Sequence, residues 1–290
     1  MRILITGASG FIGAHLVARL NGEGHEIFVL PSERFRAARL AGHRYTAVET
    51  AGEARAEVVY HLAGAPWDAG LSETVQERVI VGGMERLLAG LLARRPRRLV
   101  VAGSAAEYGS GSGWCEDDED TAQPDTVFGR LKRQAGERAR ASGIASVLLR
   151  VFTPFGEGEA PERLVPSALR AALAGEPVRL RSTGAQTRDY FHVADLVDAL
   201  VEAGRRPLEP GIAINLCSGV ERAVADVASH IVELTGSPAP VQTGPEAASV
   251  MARSSGNPER AARLLGWRPR IGFEEALRRT MFWMKEQRNL

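Results

Sequence analysis

The sequence predicts an α/β protein with a doubly wound parallel sheet, followed by a smaller C-terminal lobe. In the first half of the chain, short apolar runs typical of strands alternate with longer segments whose apolar residues lie three and four positions apart. A glycine-rich loop follows the first apolar run directly and precedes the first helix-like segment. Alternation of this kind predicts parallel strands joined by helices that cover both faces of one sheet.

The predicted elements follow one another along the first half of the chain. The strands are Ile3–Thr6, Glu26–Leu30, Val58–His61, Arg98–Ala102 and Ser146–Val151. Two amphipathic segments, Phe11–Leu20 and Gly83–Ala93, are predicted as helices because their apolar residues fall on one face. Pro96 and Pro124 lie where elements should end, and the glycine-rich segment 109–113 is typical of a loop.

The pattern changes near Pro154, after which further prolines interrupt shorter elements. We therefore expect residues 1–153 to form the first domain, completed by a segment at about 187–217. The returning elements are predicted at Asp189–Ala203 and Ala213–Leu216. The remaining residues, 154–186 and 218–290, are expected to form a smaller lobe that binds the substrate.

The balance of charge excludes one class of partner. The chain has 36 basic and 35 acidic side chains, and the formal net charge of +1 gives no long-range field to hold a polyanion. No nucleic-acid partner is predicted. No run approaches the roughly 20 apolar residues that span a bilayer, and the first residues lack the pattern of a signal peptide. We expect a cytoplasmic protein with a small-molecule substrate and no membrane partner, while the oligomeric state is left open.

The sequence predicts no metal site. Cys115 and Cys217 are the two cysteines, too few for a disulfide framework or a cysteine-rich metal site. No pair of the six histidines shows metal-ligand spacing with an acid or cysteine. The acidic run Glu116–Asp120 is predicted to be a solvated loop.

The strongest functional signal is the glycine-rich loop GASGFIG at 7–13, between the first predicted strand and the first predicted helix. The first glycine permits a tight turn, the second lets the backbone approach a pyrophosphate, and the third lets helix and strand pack closely. The helix N-terminus adds amide donors and a partial positive charge. The loop predicts a Rossmann-type dinucleotide site with contacts from Gly7, Ser9, Gly10, Phe11, Ile12 and Gly13.

The end of the second predicted strand bears on which dinucleotide binds. Sites for NAD usually place Asp or Glu there to accept hydrogen bonds from the adenosine ribose. Here the strand ends in Leu30-Pro31-Ser32 without a carboxylate, and Arg34 and Arg36 follow. Guanidinium groups can hold a ribose 2′-phosphate, so NADPH is predicted. NADH is the alternative if both arginines are ordinary surface residues.

Further motifs resemble those of the extended short-chain dehydrogenase/reductases, also called the NAD-dependent epimerase/dehydratase family. They are GASGFIG at 7–13, HLAG at 61–64, SAAEYG at 104–109, LRVF at 149–152, RDYFHVADL at 188–196 and LGWRP at 265–269. The resemblance covers nearly the whole chain and implies a dinucleotide-dependent oxidoreductase. It adds further expected cofactor contacts at Leu62, Ala63, Gly64, Lys132 and Phe152.

The family's catalytic set is a Ser or Thr with a Tyr-x-x-x-Lys pair on one helix. The resemblance places the serine at Ser104 and the lysine at Lys132, but the tyrosine position is Phe128. In the family the lysine holds the nicotinamide ribose, and the phenol exchanges a proton with the substrate oxygen. A phenyl ring cannot do so. An engineered change, a natural enzyme with other proton handling and a loss of catalysis all remain open, although Leu131 and Val127 beside the motif favour natural divergence.

Other departures from the family pattern concern the substrate. Ala105 and Ala106 stand where sugar-nucleotide dehydratases carry an acid, and Thr153 replaces a side chain that commonly reaches the sugar diphosphate. Arg188 is retained at a position that often binds that diphosphate, with an ion pair to Asp189 as its alternative role. The resemblance therefore implies substrate contacts at Ser104, Thr153 and Arg188.

The missing acid favours a substrate that carries its own proton. A phenol beside a ketone can release its proton as the hydride arrives, which predicts a ketoreductase acting on a phenolic aromatic polyketide in antibiotic biosynthesis. The tyrosine-lacking ketoreductases of angucyclinone tailoring, such as that of the simocyclinone pathway, are similar in this respect. The alternatives are a nucleotide-sugar epimerase or 4-keto reductase, and a catalytically silent NAD(P)-binding regulator.

Several other side chains are expected near the site. Tyr108 is a second possible proton donor, but a structural role is favoured, and Lys132 could relay a proton through water. Four aromatic residues could stack on a flat substrate or belong to the core: Trp67, Trp114, Phe152 and Phe155.

Overall fold

The computed structural model describes residues 1–65, 70–110, 114–115, 123–245 and 252–288. Trp67, the acidic run Glu116–Asp120 and part of the loop at 109–113 lie outside these residues. The helices are α1 Phe11–Gly22, α2 Glu73–Leu91, α3 Val127–Ala141, α4 Leu164–Leu173, α5 Val193–Arg205, α6 Val224–Thr235, α7 Glu259–Leu265 and α8 Phe273–Arg288. None of these helices is long and apolar enough to cross a bilayer.

The strands vary in length from two to six residues. They are β1 Arg2–Thr6, β2 Glu26–Leu30, β3 Thr46–Ala47, β4 Val58–His61, β5 Arg98–Ala102, β6 Trp114–Cys115, β7 Ser146–Val151, β8 Thr153–Phe155, β9 Val178–Arg179, β10 Thr187–His192, β11 Ile212–Leu216, β12 Glu221–Ala223, β13 Val241–Gln242 and β14 Ser255–Gly256. Short 3₁₀ turns span Ala37–Leu40 and Ala105–Tyr108.

The central sheet has seven parallel strands in the order β11-β7-β5-β4-β1-β2-β3. Ile3 of β1 is in register with Ile27 of β2 on one side and with Val58 of β4 on the other. The strand order therefore reverses at β1, and in sheets of this type ligands bind in the crevice at the carboxyl ends beside such a reversal. The predicted doubly wound parallel sheet is confirmed.

Helices cover both faces of the sheet because its strands are apolar on both sides. Ile3 and Ile5 are buried in the core beneath α1 and α5, whereas Leu4 between them is buried on the opposite face, with α2 and α3. Since successive side chains of a strand point to opposite faces, one short apolar run supplies both cores. This arrangement holds the carboxyl ends of β1, β4 and β5 at one edge.

A second sheet has three strands in the order β12-β10-β8, and the remaining described strands form two short pairs, β13-β9 and β14-β6. A separate apolar cluster packs against it, with members that include Phe155, Leu169, Tyr190, Ile231 and Leu277. β11 pairs with β7 in the first sheet, whereas β10 lies in the second sheet. The division into a first domain at 1–153, completed at about 187–217, and a smaller lobe stays a prediction.

One helix differs from its prediction. Helix α2 begins at Glu73 rather than at Gly83, and Ser72 caps it by accepting a hydrogen bond from the Val75 N–H at 3.4 Å. The adjacent glycines Gly82 and Gly83 interrupt the apolar period in the middle of the helix, which explains why the pattern locates only its second half.

Candidate active site

The glycine loop lies at the carboxyl end of β1. Gly7 adopts a left-handed φ of 72°, and its carbonyl accepts a hydrogen bond from the Gly10 N–H at 3.0 Å. A Cβ on Gly7 would lie 2.7 Å from the Ala63 nitrogen, and a Cβ on Gly13 would overlap the Gly7 carbonyl oxygen. The loop can pack this closely only because these positions carry no side chain.

The start of α1 offers free amides to a ligand. Gly10 is the N-cap residue and, having no side chain, cannot accept a hydrogen bond from the first amides of the helix. The N–H groups of Phe11 and Ile12 have no acceptor within the helix, because the first turn of any helix leaves its donors unpaired. Together with the helix dipole, these donors fit the pyrophosphate of a dinucleotide.

The segment after β4 forms the opposite wall of the crevice. Thr6 Oγ1 lies 2.8 Å from His61 Nδ1 and accepts a hydrogen bond from the Ala63 N–H at 3.3 Å. Burial, together with the charge of Lys132, lowers the pKa of His61 to about 3. His61 is therefore neutral near pH 7 and belongs to the framework of the wall. The predicted contacts Leu62, Ala63 and Gly64 follow it directly.

A cleft of about 580 Å³ opens between this wall, the end of β2 and helix α2. Arg34 lines the cleft, and its role as a cofactor contact stays a prediction. Arg36 is not among the lining residues, and its backbone N–H donates instead to the Ser9 Oγ at 3.0 Å. Two arginines that the sequence analysis missed, Arg78 and Arg86 of α2, also line the cleft.

Ser104 lies two residues beyond the end of β5, at the start of the 3₁₀ turn. Its Oγ accepts a hydrogen bond from the Ala106 N–H at 3.2 Å, and its own N–H donates to Glu107 Oε1 at 2.8 Å. This reciprocal capping box fixes the backbone of Ser104. The hydroxyl can still donate its proton to an oxygen in the crevice, because its bond to Ala106 uses only an acceptor site.

A buried polar network supports Ser104 from below. Arg150 donates from Nε to Glu107 Oε2 at 3.1 Å and from Nη1 to the Tyr108 hydroxyl at 2.9 Å. The Tyr108 hydroxyl in turn donates to Asn215 Oδ1 of β11 at 2.7 Å. Burial acts to lower the pKa of Arg150, but Tyr108 and Glu107 outweigh it and raise that pKa. Tyr108 is held in this network, as expected for a structural residue.

Phe128 and Lys132 lie one turn apart at the start of α3. Thr126 caps this helix by accepting a hydrogen bond from the Gly129 N–H at 3.0 Å. A Cβ on Gly129 would overlap the Ala106 carbonyl oxygen, so α3 packs directly against the turn that follows Ser104. The structure therefore brings the Ser104 turn and the Phe128 helix together.

Lys132 reaches from α3 to the ends of β4 and β5. Its Nζ donates to the Ala102 carbonyl oxygen at 2.8 Å and lies 5.9 Å from the centre of the Phe128 ring. A Cβ on Gly64 would lie 3.4 Å from the same Nζ. Burial lowers the pKa of the Lys132 ammonium, and Glu107 offsets part of that effect. Burial thus makes the charged form of this amine less favourable than that of a lysine in solvent.

The expected substrate contacts lie on the second sheet. Thr153 of β8 is in register with Tyr190 of β10, and Arg188 lies two residues earlier on β10. Arg188 Nη1 donates to the Thr187 carbonyl oxygen at 2.6 Å, and burial lowers the pKa of its guanidinium. Asp189 instead accepts from Ser218 and from the residues at 219 and 255, so the suggested Arg188–Asp189 ion pair is not among the bonds of Asp189 in the described structure.

The aromatic residues divide between core and surface. Phe152 is 8% exposed, and a Cβ on Gly256 would lie 2.5 Å from its ring, so the ring is packed inside the protein. Phe155 is buried between Tyr190 and the rest of the second apolar cluster. Trp114 is exposed. Neither phenylalanine presents a free face for stacking on a flat substrate.

No metal centre is found in the part of the chain that the structure describes. Its His, Cys, Asp and Glu residues form no group of three or more that could hold a metal ion. Cys115 and Cys217 are buried, and they form no disulfide with each other.

Comparisons with known proteins agree with this geometry. Residues 3–217 match the model of the NAD dependent epimerase/dehydratase family. The chain is 26% identical to UDP-glucose 4-epimerase of Mycolicibacterium smegmatis over an alignment of 322 positions, which covers 99% of each chain. It is 32% identical to dTDP-6-deoxy-L-talose 4-dehydrogenase (NAD(P)(+)) of Kitasatospora kifunensis over 313 residues, 96% of this chain and 93% of the relative. A structure of MoeE5 in complex with UDP-glucuronic acid and NAD superposes with a TM-score of 0.89 at 26% identity and covers 99% of this chain and 100% of that one.

These relatives correct the prediction about the substrate. Their names contain UDP- or dTDP-linked sugars, and the similarity extends over nearly the whole of both chains. The prediction of a ketoreductase for a phenolic polyketide, similar to that of the simocyclinone pathway, is therefore wrong. The change at Phe128 alters the route of one proton, whereas the substrate is selected by a surface formed from many other segments. The chain is a member of the NAD dependent epimerase/dehydratase family.

Proposed function

We propose that the protein is a nucleotide-diphosphate-sugar epimerase that removes a hydride from a carbinol carbon of the sugar and returns it to the opposite face. The observation that carries the proposal is the position of two polar groups at one edge of the sheet. Lys132 Nζ donates a hydrogen bond to the carbonyl of Ala102, two residues before Ser104. The same amine lies beside Gly64, in the wall that follows β4. The similarity to UDP-sugar enzymes along the whole chain supports the choice of substrate.

A nicotinamide dinucleotide would supply the hydride acceptor and donor for this reaction. The amides of the glycine loop and of α1 would hold its pyrophosphate, and Lys132 would hold the nicotinamide ribose. Gly7, Gly10 and Gly13 suit this role, because a side chain at Gly7 or Gly13 would collide with the loop itself.

The adenosine end of the dinucleotide would extend over the end of β2. Leu30 and Pro31 offer no carboxylate to the ribose there, and Arg34 lines the same cleft. A guanidinium can pair with a phosphate, whereas a carboxylate would repel it. We therefore favour NADPH or NADP⁺ over the forms that lack the 2′-phosphate.

When the sugar carbon is oxidised, its hydroxyl must lose a proton, and position 128 offers no phenol to accept it. Ser104 would donate a hydrogen bond to the sugar oxygen and stabilise the negative charge that develops on it. Lys132 is the titratable group beside Phe128, and burial lowers the pKa of its ammonium. Its neutral amine would accept the proton, directly or through a water in the space that a tyrosine hydroxyl would fill.

The second sheet would hold the remainder of the substrate. Arg188 lies on β10, the strand next to Thr153, and burial lowers the pKa of its guanidinium. A diphosphate beside it would stabilise the charged form through charge-assisted hydrogen bonds. Thr153, on the neighbouring strand β8, would present a hydroxyl to the sugar or diphosphate.

The experiment is a substrate panel with two readouts. The protein is incubated with UDP-glucose, UDP-glucuronic acid or dTDP-glucose, each with NAD⁺ or NADP⁺. Proton NMR of the sugar follows the configuration at each carbon, and absorbance at the wavelength of reduced nicotinamide follows net redox change. An epimerase inverts one carbon without net reduction of the dinucleotide. Failure of every sugar nucleotide to change, in a protein that binds dinucleotide, would refute the proposal.

A second candidate is the reduction of a 4-keto nucleotide sugar. The similarity to dTDP-6-deoxy-L-talose 4-dehydrogenase (NAD(P)(+)) favours it, because the name of that relative describes redox chemistry at C4 with either dinucleotide. The same panel separates the two candidates, since a reductase consumes one reduced dinucleotide for each sugar converted. A 4-keto sugar nucleotide is added to the panel with NADPH for this purpose.

A further inference from the structure

Two opposite charges hold one three-residue segment at the carboxyl end of β5. Lys132 Nζ donates to the Ala102 carbonyl oxygen at 2.8 Å, and Glu107 Oε1 accepts the Ser104 N–H at 2.8 Å. A Cβ on the residue between them, Gly103, would lie 2.5 Å from Glu107 Oε1. The carboxylate therefore takes the space of a side chain, directly beside the peptide that Lys132 binds.

Glu107 acts on Lys132 without forming an ion pair with it. The ion pair of Glu107 is with Arg150, whose Nε lies 3.1 Å from Oε2, so the other carboxylate oxygen remains beside Gly103. In the described part of the chain Lys132 forms no ion pair. Glu107 is the one charge that raises the pKa of the Lys132 ammonium against the lowering by burial.

The other charges around the amine are neutral or exposed. His61, at the end of β4, is neutral because burial lowers its pKa to about 3. On α3, Arg130 pairs with Glu73 of α2, and Arg133 pairs with Glu137, and all four side chains are more than 40% exposed. Water screens such pairs, so the buried carboxylate dominates the field at the amine.

We propose that Glu107 is a positioning residue for proton transfer, whose carboxylate stabilises the ammonium that Lys132 forms when it accepts the hydroxyl proton of the sugar. The proposal rests on the proposed function, which gives Lys132 that proton. The neutral amine takes the proton as the carbinol carbon releases its hydride, and the ammonium returns it to the same oxygen as the hydride comes back. Glu107 exchanges no proton, and its charge offsets the cost of forming a cation in a buried site.

The lysine content of the chain makes the proton affinity of this amine directly measurable. Lys132 and Lys285 are the only two lysines among 36 basic side chains, and Lys285 is exposed on α8. Protein labelled with ¹³C at lysine Cε therefore gives two NMR signals, and Lys285→Arg identifies the one from Lys132. Its titration with pH needs neither dinucleotide nor sugar, so failure of this proposal and failure of the proposed function are measured separately.

Glu107→Gln should move the midpoint of the Lys132 titration to lower pH, because the ammonium loses the charge that stabilises it. Glu137→Gln removes an exposed carboxylate of α3 and should leave the midpoint in place. Loss of Glu107 alone leaves the Arg150 cation buried without its anion. The double variant Glu107→Gln/Arg150→Met removes both charges, and its midpoint should also lie at lower pH than that of the starting protein.

Two results would overturn the proposal. An unchanged midpoint in both variants would show that Glu107 only holds the backbone of Ser104. A shift in the single variant that disappears in the double variant would assign the effect to the bare Arg150 cation. A role confined to packing predicts no shift in either variant, so the titration separates the two roles.

Discussion

Glu107 holds Ser104 and Arg150 at the same time, one with each carboxylate oxygen. Oε1 accepts the Ser104 N–H at 2.8 Å, and Oε2 accepts Arg150 Nε at 3.1 Å. Both side chains of the ion pair are about 5% exposed or less, so the pair is sealed from water. A candidate catalytic hydroxyl is thus positioned by a buried charge pair that does not itself reach the crevice.

Removal of the Glu107 charge should therefore destabilise the fold. Glu107→Gln keeps an oxygen for the Ser104 N–H but leaves the Arg150 cation buried without its anion, at a loss of about 3 kcal/mol in the free energy of unfolding. Denaturant titration measures this loss in the free energy of unfolding. Glu275→Gln, which breaks the exposed pair with Arg279, is the matched control and should change stability by less than about 1 kcal/mol. Equal effects of the two variants would contradict the assignment.

Introduction of a phenol at position 128 should accelerate the reaction. The Phe128 ring lies 5.9 Å from Lys132 Nζ, so Phe128→Tyr places an acid beside the amine that would tune it. General acid–base groups of this kind contribute about 10²–10⁴-fold, and we expect a gain in kcat of about 10² or more. Phe128→Leu serves as the control for packing. A gain below twofold with the natural sugar nucleotide would mean that Lys132 already moves the proton without hindrance.

Loss of the Lys132 amine should weaken binding of the dinucleotide. Lys132→Met keeps most of the aliphatic stem but removes the ammonium that would hold the nicotinamide ribose. Fluorescence titration with NADPH should give an affinity at least tenfold lower, and the single-turnover rate at saturation should also fall, because the variant lacks the amine that would accept the proton. An unchanged affinity with a lost turnover would remove the ribose contact and leave Lys132 with the proton transfer alone.

Arg34 and Arg36 offer a matched pair for the cofactor preference. Arg34 lines the cleft beside the end of β2, whereas the backbone N–H of Arg36 donates to Ser9 and Arg36 is not among the lining residues. Arg34→Ala should narrow the difference in affinity between NADPH and NADH at least fivefold, and Arg36→Ala should leave it within twofold. If the starting protein binds both dinucleotides equally, the preference for NADPH is wrong.

Stability should depend on pH through Glu159. Burial raises the pKa of this carboxyl from 4.5 to about 8, although Arg163 acts against the shift. Between these values the folded protein binds a proton that the unfolded chain has released, so stability falls as pH rises from about 5 to about 8. Glu159→Gln should remove that slope and be the more stable protein at pH 9. Parallel profiles of melting temperature against pH for the two proteins would exclude a role for Glu159.

Local patterns predicted the sheet and the glycine loop well. β2, β4, β5 and β7 have the predicted bounds. Pro31 directly follows β2 and Gly103 directly follows β5, so the ends of these two strands are marked in the sequence. The start of α2 was missed, since the glycine pair at 82–83 hides the helical period. A helix predicted to begin at Glu73 would have placed Arg78 and Arg86 about two turns apart on one helix. Both arginines line the same cleft.

The parts that were missed depend on contacts between distant segments. Arg34 and Arg36 are equivalent in the sequence, and only the path of the chain past Ser9 distinguishes them. The Glu107–Arg150 pair joins residues 43 positions apart. The substrate prediction failed for a related reason, because a single altered side chain at Phe128 describes the proton route and carries no information about the surface that receives the sugar.

A single residue separates the two sheets where β7 passes into β8. Phe152 fills that gap, and its own N–H donates to the Leu216 carbonyl of β11 at 3.1 Å. At the second crossing, β10 ends at His192 and α5 begins at Val193 without an intervening residue. A third crossing, residues 217–220 between β11 and β12, is held at Asp189, which accepts hydrogen bonds from the Ser218 and Gly219 N–H groups. Since two crossings are short and the third is fixed by these bonds, the two sheets should act as one mechanical body. Substrates would then enter and leave through movement of surface loops, and amide exchange should detect no opening in which one sheet separates from the other.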